Sequence, residues 1–230
     1  MTIAADTAVL PHLLTLPPLL SVAPVLSLPP VLPVPLVLAS TSRYRKAQLE
    51  RLGVAFICIA PNYAEDPVAG IAAGDLPLHH ARHKALAVAQ QTGAPLTWIL
   101  AADQGVVWQS GADSELLGKP HTPAKAVDQL LQLSGQPHLL RTGVALLLAD
   151  GTLLDRVVDV TLHMRPLSRA EATDYVARDQ PLDCAGSYRI ESLGPWLFDK
   201  VDCNDPTAIE GLPLLAVAAL LRQGLAHWNR

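Results

Sequence analysis

The sequence predicts a mixed α/β fold built on a twisted central sheet, and three observations carry that expectation. Short apolar runs, among them residues 36–39 and 97–102, are bounded by polar turns and read as buried strands. Longer stretches at helical spacing lie between them, several opened by a residue able to cap a helix. From Leu36 onward strand and helix patterns alternate, the order expected of helices packed on a sheet rather than of separate all-α and all-β blocks.

Taken in order, Leu36-Val37-Leu38-Ala39 reads as a strand, and Ser40-Thr41-Ser42 as a polar turn that caps a helix over 45–52, closed by Gly53. A second strand is expected over 54–59 and a helix over 79–91. A buried strand over 97–102 should end on Asp103, followed by a hairpin over 106–117 that turns at residues 110–113. Thr122 as N-cap with Pro123 in the first turn predicts a helix running to Ser134-Gly135. Two strands, 139–148 and 153–164, flank Ala149-Asp150-Gly151-Thr152. Ser168-Arg169-Ala170-Glu171 is a capping box opening a helix to Arg178. A last strand over 196–201 and a last apolar helix over 212–225 complete the pattern.

The chain has 230 residues, half of them apolar and only 17% charged, against a usual charged share of about 25%. That is ample for a core. A net charge of -4 gives no field that would collect a polynucleotide. Cys58, Cys184 and Cys203 are too few and too scattered for a disulfide framework or a thiolate metal site, which points to a reducing compartment such as the cytoplasm. Residues 1–35 stand apart: they hold 8 of the 20 prolines and one ionised side chain, Asp6. Prolines interrupt every apolar run there, which excludes a membrane-spanning helix, and the first basic residue is Arg43, which excludes an ordinary secretory leader. The segment reads as a weakly ordered extension preceding a domain over 36–230.

Two places carry chemistry. In Ser40-Thr41-Ser42-Arg43-Tyr44-Arg45-Lys46, hydroxyls, helix-start N–H groups and three cations converge, a combination suited to a phosphate chain. A capped helix with a solvated basic first turn would also show this pattern, though cations oppose the dipole at a helix start. The Walker lysine motif is absent, so a P-loop is excluded. In Ala101-Ala102-Asp103-Gln104, the carboxylate is either a strand-end cap or a general base or metal ligand. Lys84 and Lys119 read as surface cations or as phosphate partners. His79, His80 and His83 share part of a helix, but no local carboxylate or cysteine completes a metal set.

The segments Leu38-Ala39-Ser40-Thr41-Ser42, Glu65, Ala102-Asp103-Gln104, Gly118-Lys119-Pro120, Arg141-Thr142-Gly143, Cys184-Ala185-Gly186-Ser187-Tyr188 and Gly211-Leu212-Pro213 occur in that order. Together, across roughly 36–225, they resemble the Maf family of nucleoside triphosphate pyrophosphatases. The resemblance implies an ITPase-like sheet with a cleft between two lobes, commonly a homodimer. It also implies hydrolysis of a nucleotide substrate to monophosphate and pyrophosphate with a divalent metal, Mg²⁺ or Mn²⁺, and no polynucleotide or membrane partner.

The chain is most similar to the branch acting on 7-methyl-GTP. By that resemblance Asp103 falls on the catalytic proton acceptor, and Tyr44, Gln104 and Glu191 on the positions that select the base. Ser40, Ser42, Arg45, Lys46, Lys84 and Lys119 fall around the phosphates, and Glu65, with Asp103, beside the metal. The branch usually shows Pro where Arg43 stands and Trp where Tyr44 stands, and residues 1–35 have no counterpart. N7-methylation makes the guanine ring cationic, so an aromatic face at Tyr44 would favour it by about 0.5 to 2 kcal/mol. A carboxylate at Glu191 could accept from the guanine N1–H and N2–H together. A dTTP/UTP-type or broad pyrophosphatase, or a nucleotide-sensing regulator without turnover, are the other readings.

Overall fold

The computed structural model describes residues 28–66, 68–93, 96–110 and 113–230. Seven strands form one mixed sheet: β1 (Leu36–Ala39), β2 (Phe56–Ile59), β3 (Trp98–Ser110), β4 (Asp113–Leu117), β5 (Pro137–Leu147), β6 (Leu153–Met164) and β7 (Phe198–Cys203). The helices are α1 (Arg43–Glu50), α2 (Leu76–Thr92), α3 (Pro123–Leu133), α4 (Arg169–Asp179) and α5 (Leu214–Trp228). The strand order is β2-β1-β3-β5-β6-β7, with β4 paired to β3. β1 is parallel to β2 and β3, and the other pairings are antiparallel.

Side-chain alternation divides the core. Leu36, Leu38, Trp98, Leu100 and Ala102 face α1 and α5, whereas Val37, Ala39, Ile99 and Ala101 face Ala85 and Val88 of α2. A third cluster joins the far half of the sheet to α3 and α4, with Leu130, Leu133, Val160, Leu162 and Ala172 at its centre. Local caps hold as expected: the Ser42, Thr122 and Ser168 hydroxyls accept from the N–H groups of Arg45, Lys125 and Glu171, and Glu171 returns a bond to Ser168 N–H.

The expected break at Asp103 does not occur. β3 runs on through Asp103 and Gln104 to Ser110, because β5 supports it without interruption from Ile99↔Leu147 to Val107↔Leu139. On its other edge β1 pairs only as far as Leu100, and β4 takes over only at Val106. Residues 101–105 therefore border a gap between two lobes of one sheet. α1 starts at Arg43, so Arg43 and Tyr44 belong to its first turn rather than to the preceding loop. Short 3₁₀ turns at Ala73–Asp75, Ala185–Ser187, Gly194–Leu197 and Pro206–Glu210 were not expected. Of the N-terminal segment, residues 1–27 lie outside the described part; Leu32 and Val34 pack against the α1–α5 cluster, while Leu28 and Val31 are exposed. The tip of the β3–β4 turn, residues 111–112, also lies outside it.

One glycine sets how near α2 lies to the sheet. Gly143 pairs with Asp103 across the β3–β5 register, and a Cβ there would overlap the backbone of Pro77 and Leu78. The helix start thus rests directly on the strand. Gly143→Ala should lower the melting temperature by about 5 to 10 °C, the shift expected from an overpacking cost of about 2 to 3 kcal/mol in a chain this size. An unchanged midpoint by circular dichroism would show that α2 can retreat at no cost.

Candidate active site

The gap between the lobes opens into a cleft of about 470 Å³, within the range of small-ligand sites. Its walls come from the end of β1 and the start of α1 (Ser40 to Arg45), from Glu65, Lys84, Gln104 and Lys119, and from two loops holding Asp183 to Ala185 and Glu210-Gly211. Tyr188 and Glu191 also line it. Residues distant in sequence meet here because β3 ends its pairing with β1 at the point where α1 and α2 both begin to cover the sheet.

Alternation along β3 sends Asp103 and Gln104 to opposite faces. Asp103 faces α2. There the buried Lys84, 4% exposed, places its ammonium 2.6 Å from Asp103 Oδ1 and 2.5 Å from Glu65 Oε1. Two of its three N–H groups are used in this way, and the third is available to the cleft that Lys84 lines. Among the described residues Asp103 Oδ2 has no protein partner. Burial acts to raise the Glu65 carboxyl, but the charge and hydrogen bond of Lys84, with Arg45 and Lys119 farther off, outweigh it and hold Glu65 below its usual range.

Gln104 faces the other way, and its amide is held firmly. Nε2 donates to Thr142 Oγ1 at 2.8 Å and to the Ala208 carbonyl at 2.7 Å, which leaves Oε1 as an acceptor toward the cleft. Thr142 is fully buried and sits directly opposite in register. Gly211, with φ of +111°, turns its carbonyl to accept from Arg45 Nε at 3.0 Å, so the outer guanidinium nitrogens of Arg45 stay available. The hydroxyls of Ser40 and Ser42 accept from Ser42 N–H and Arg45 N–H. Each keeps its own proton to donate. Lys46 is exposed and does not line the cleft: one residue beyond Arg45 is a rotation of about 100° round the helix.

A second group gathers round Tyr44. The Arg43 guanidinium lies 4.8 Å from the Tyr44 ring centre, donates to its hydroxyl at 2.8 Å and reaches Asp183 at 4.0 Å. Glu191 is exposed on a loop that is bolted to the end of α4. Arg189 Nη2 and Ser192 Oγ both donate to the buried Asp179 Oδ1, at 2.8 and 2.5 Å, and Tyr175 donates to Oδ2 at 2.6 Å. Burial works to raise the Asp179 carboxyl, but these donors together keep it below its usual range. Cys184, the only cysteine lining the cleft, has its thiol pushed up to about 12 by burial and then by Asp183. It stays protonated, which argues against a thiolate nucleophile.

The structure therefore brings together Ser40, Ser42, Tyr44, Arg45, Glu65, Lys84, Gln104, Lys119 and Glu191 on one cleft, whereas Asp103, 5% exposed, does not line it and is joined to it through Lys84. Sequence reasoning missed three supports of this arrangement. Gln48, a polar residue on the buried stripe of α1, donates to the Thr207 and Leu212 carbonyls. Asp205 accepts from Thr207 N–H and, through Oδ2, from Leu215 N–H at 2.9 Å and Ala216 N–H at 3.3 Å, so it caps α5 from outside the helix. The Asp205-Pro206 pair was a turn signal that could have found it. Thr142 stood in the Arg141-Thr142-Gly143 motif, but its support of Gln104 went unread because it depends on strand register.

The chain matches the family described as Maf-like protein over residues 35–224. It is 40% identical to a 7-methyl-GTP pyrophosphatase of Xanthomonas campestris pv. campestris (strain 8004) over 187 residues, 81% of this chain and 94% of that one. The enzyme of the same name from Xanthomonas oryzae pv. oryzae (strain MAFF 311018) is 40% identical over 192 residues, 83% and 97% of the two chains. Among solved structures, a HAM1 protein from Coxiella burnetii aligns with a TM-score of 0.46 at 18% identity, covering 83% of this chain and 99% of that chain.

Proposed function

The chain belongs to the Maf family, and from that premise we propose that it hydrolyses a nucleoside triphosphate, foremost 7-methyl-GTP, to the monophosphate and pyrophosphate. The observation that carries this reading is the pair of carboxylates joined by buried Lys84 beside a nucleotide-sized cleft. Asp103 Oδ2, without a protein partner, takes the proton from a water attacking the α-phosphorus, and Lys84 fixes the carboxylate in position. Arg45, Lys119 and the third N–H of Lys84, with the hydroxyls of Ser40 and Ser42 and the N–H groups at the start of α1, supply donors for the triphosphate. A carboxylate is a weak base at neutral pH, so most of the acceleration comes from positioning and electrostatics.

The donor set fits a hard divalent cation. Among the described residues no three His, Cys, Asp or Glu side chains form a metal-holding group. Mg²⁺ or Mn²⁺ is commonly held through one or two carboxylates, with water and substrate oxygens completing the shell. Glu65 and Asp103 would hold it, and when bound it would offset the phosphate charge that the cations do not reach. The same reading assigns catalysis to residues 36–230; among the described residues of the N-terminal segment, 28–35, none lines the cleft. Homodimerisation and a cytoplasmic location belong to the same reading, supported by the family resemblance and the sparse cysteines. Among the described residues no helix is long and apolar enough to cross a membrane.

For the base, Tyr44 offers an aromatic face, Gln104 Oε1 an acceptor, and Glu191 a carboxylate that matches both the guanine donor edge and the charge of a methylated ring. Asp183 adds a second negative charge beside it. Arg43 works against this selection, because its guanidinium sits beside the Tyr44 ring and repels a cationic base.

A panel of nucleoside triphosphates assayed for pyrophosphate release, with and without Mg²⁺ or Mn²⁺, tests the reaction. Release from 7-methyl-GTP ahead of GTP, dTTP and UTP is expected. Asp103→Asn should lower turnover by at least about 100-fold while nucleotide binding survives. Binding without release would favour a sensing role, and full activity of the variant would remove Asp103 as base.

The base pocket gives a second expectation. Glu191→Gln places a donor against the guanine donors and removes a charge, so kcat/KM for 7-methyl-GTP should drop about 5- to 150-fold while UTP hydrolysis holds or rises. Arg43→Ala should raise the preference for 7-methyl-GTP over GTP by about 2- to 10-fold, by relieving the repulsion. Equal losses on every nucleotide would assign these residues to folding or phosphate positioning.

A further inference from the structure

The segment that carries Glu65, residues 60–66, has no helix or strand of its own, yet it must hold a carboxylate against Lys84. Its conformation is set by α2. The Gln91 side chain clamps it at two points, with Oε1 accepting from Asn62 N–H at 2.9 Å and Nε2 donating to the Ala60 carbonyl at 3.1 Å. Tyr63 Oη lies 2.8 Å from Nδ1 of His80, which is 3% exposed. Lys84 then meets Glu65. His80, Lys84 and Gln91 fall within about 40° of one another round the helix, so a single stripe of α2 lays out the whole loop.

The Tyr63–His80 pair anchors the loop two residues before Glu65. Burial, and then the carboxylates of Asp103, Glu65 and Asp66, raise the Tyr63 phenol, which keeps its proton. Burial, helped by Lys84 and His83, lowers the His80 imidazole despite the carboxylates of Asp103 and Glu65, which leaves Nδ1 able to accept. The Tyr63 ring also packs against His83, one turn along, with centres 5.7 Å apart. None of these side chains lines the cleft.

We propose that Tyr63 and His80 are positioning residues whose hydrogen bond, with the Gln91 clamp, fixes the height of Glu65 over Lys84. The activity arm of its test rests on the proposed hydrolysis, whereas the exchange arm does not. In the full-length protein, Tyr63→Phe should lower kcat/KM by about 3- to 10-fold and raise the Mg²⁺ concentration for half-maximal rate, with kcat at saturating Mg²⁺ nearly retained. The same substitution in a Glu65→Gln background should have no further effect, because there is no carboxylate left to place. His80→Asn, which presents an amide oxygen near the place of Nδ1, should restore most of what His80→Leu loses.

Amide hydrogen exchange at Asn62, whose N–H is bonded to Gln91, should quicken by about 5- to 10-fold in Tyr63→Phe while residues 85–88 of α2 keep their protection. Equal losses from Tyr63→Phe in both backgrounds, or unchanged exchange in the loop, would overturn the proposal. Should the wild-type protein hydrolyse no nucleotide, the reaction reading fails, and exchange alone decides on the Tyr63–His80 bond.

Discussion

A buried ammonium shared by two carboxylates governs the arrangement of this protein. Lys84, 4% exposed, would be costly to bury alone, and Asp103, 5% exposed, would be costly opposite another carboxylate without a cation between them. Their pairing settles both costs only at short range. It therefore demands that α2 lie close to β3, which the absence of a side chain at Gly143 allows, and that the loop bearing Glu65 come down on the helix. The Lys84 that neutralises the two carboxylates also fixes where they lie.

β3 is the second determinant. It is held along one edge by β5 and along the other by two different strands, β1 and β4, which leave five residues unaccompanied. A ligand can approach the strand there without breaking a ladder. Because successive side chains alternate, that stretch meets two environments at once, with Asp103 toward Lys84 under α2 and Gln104 toward the side closed by the loop of residues 205–211. The two are separated by one peptide unit, so a change in strand register would exchange their faces and abolish both.

What could be read in the sequence follows from the range of the interaction responsible. Helices opened by Thr122-Pro123 and by the Ser168–Glu171 box began where expected, since a cap is a bond between residues three apart. Asp103 read as a strand end because a carboxylate in a buried strand normally marks its exit to solvent; here it meets Lys84 under α2, and support from β5, some 40 residues on, is not visible locally. α5 is capped by Asp205, which lies outside the helix. Glu65, Gln104 and Lys119, which line the cleft, stood in sequence motifs, whereas Lys84 was placed at the site only by the resemblance, and nothing local told that it bridges two carboxylates. Lys46 shared the basic motif and yet lies off the cleft, a matter of helical phase. The Tyr63–His80 and Thr142–Gln104 bonds depend on tertiary register and left no local mark.

The most direct test of the chemistry is the destination of the attacking oxygen. If the free oxygen of Asp103 directs a water onto the α-phosphorus, hydrolysis of 7-methyl-GTP in ¹⁸O-labelled water, followed by mass spectrometry of both products, will place the label in the nucleoside monophosphate and leave pyrophosphate unlabelled. Label in the pyrophosphate would mean attack at the β-phosphorus, and would contradict the orientation that Lys84, Glu65 and Asp103 are held to enforce.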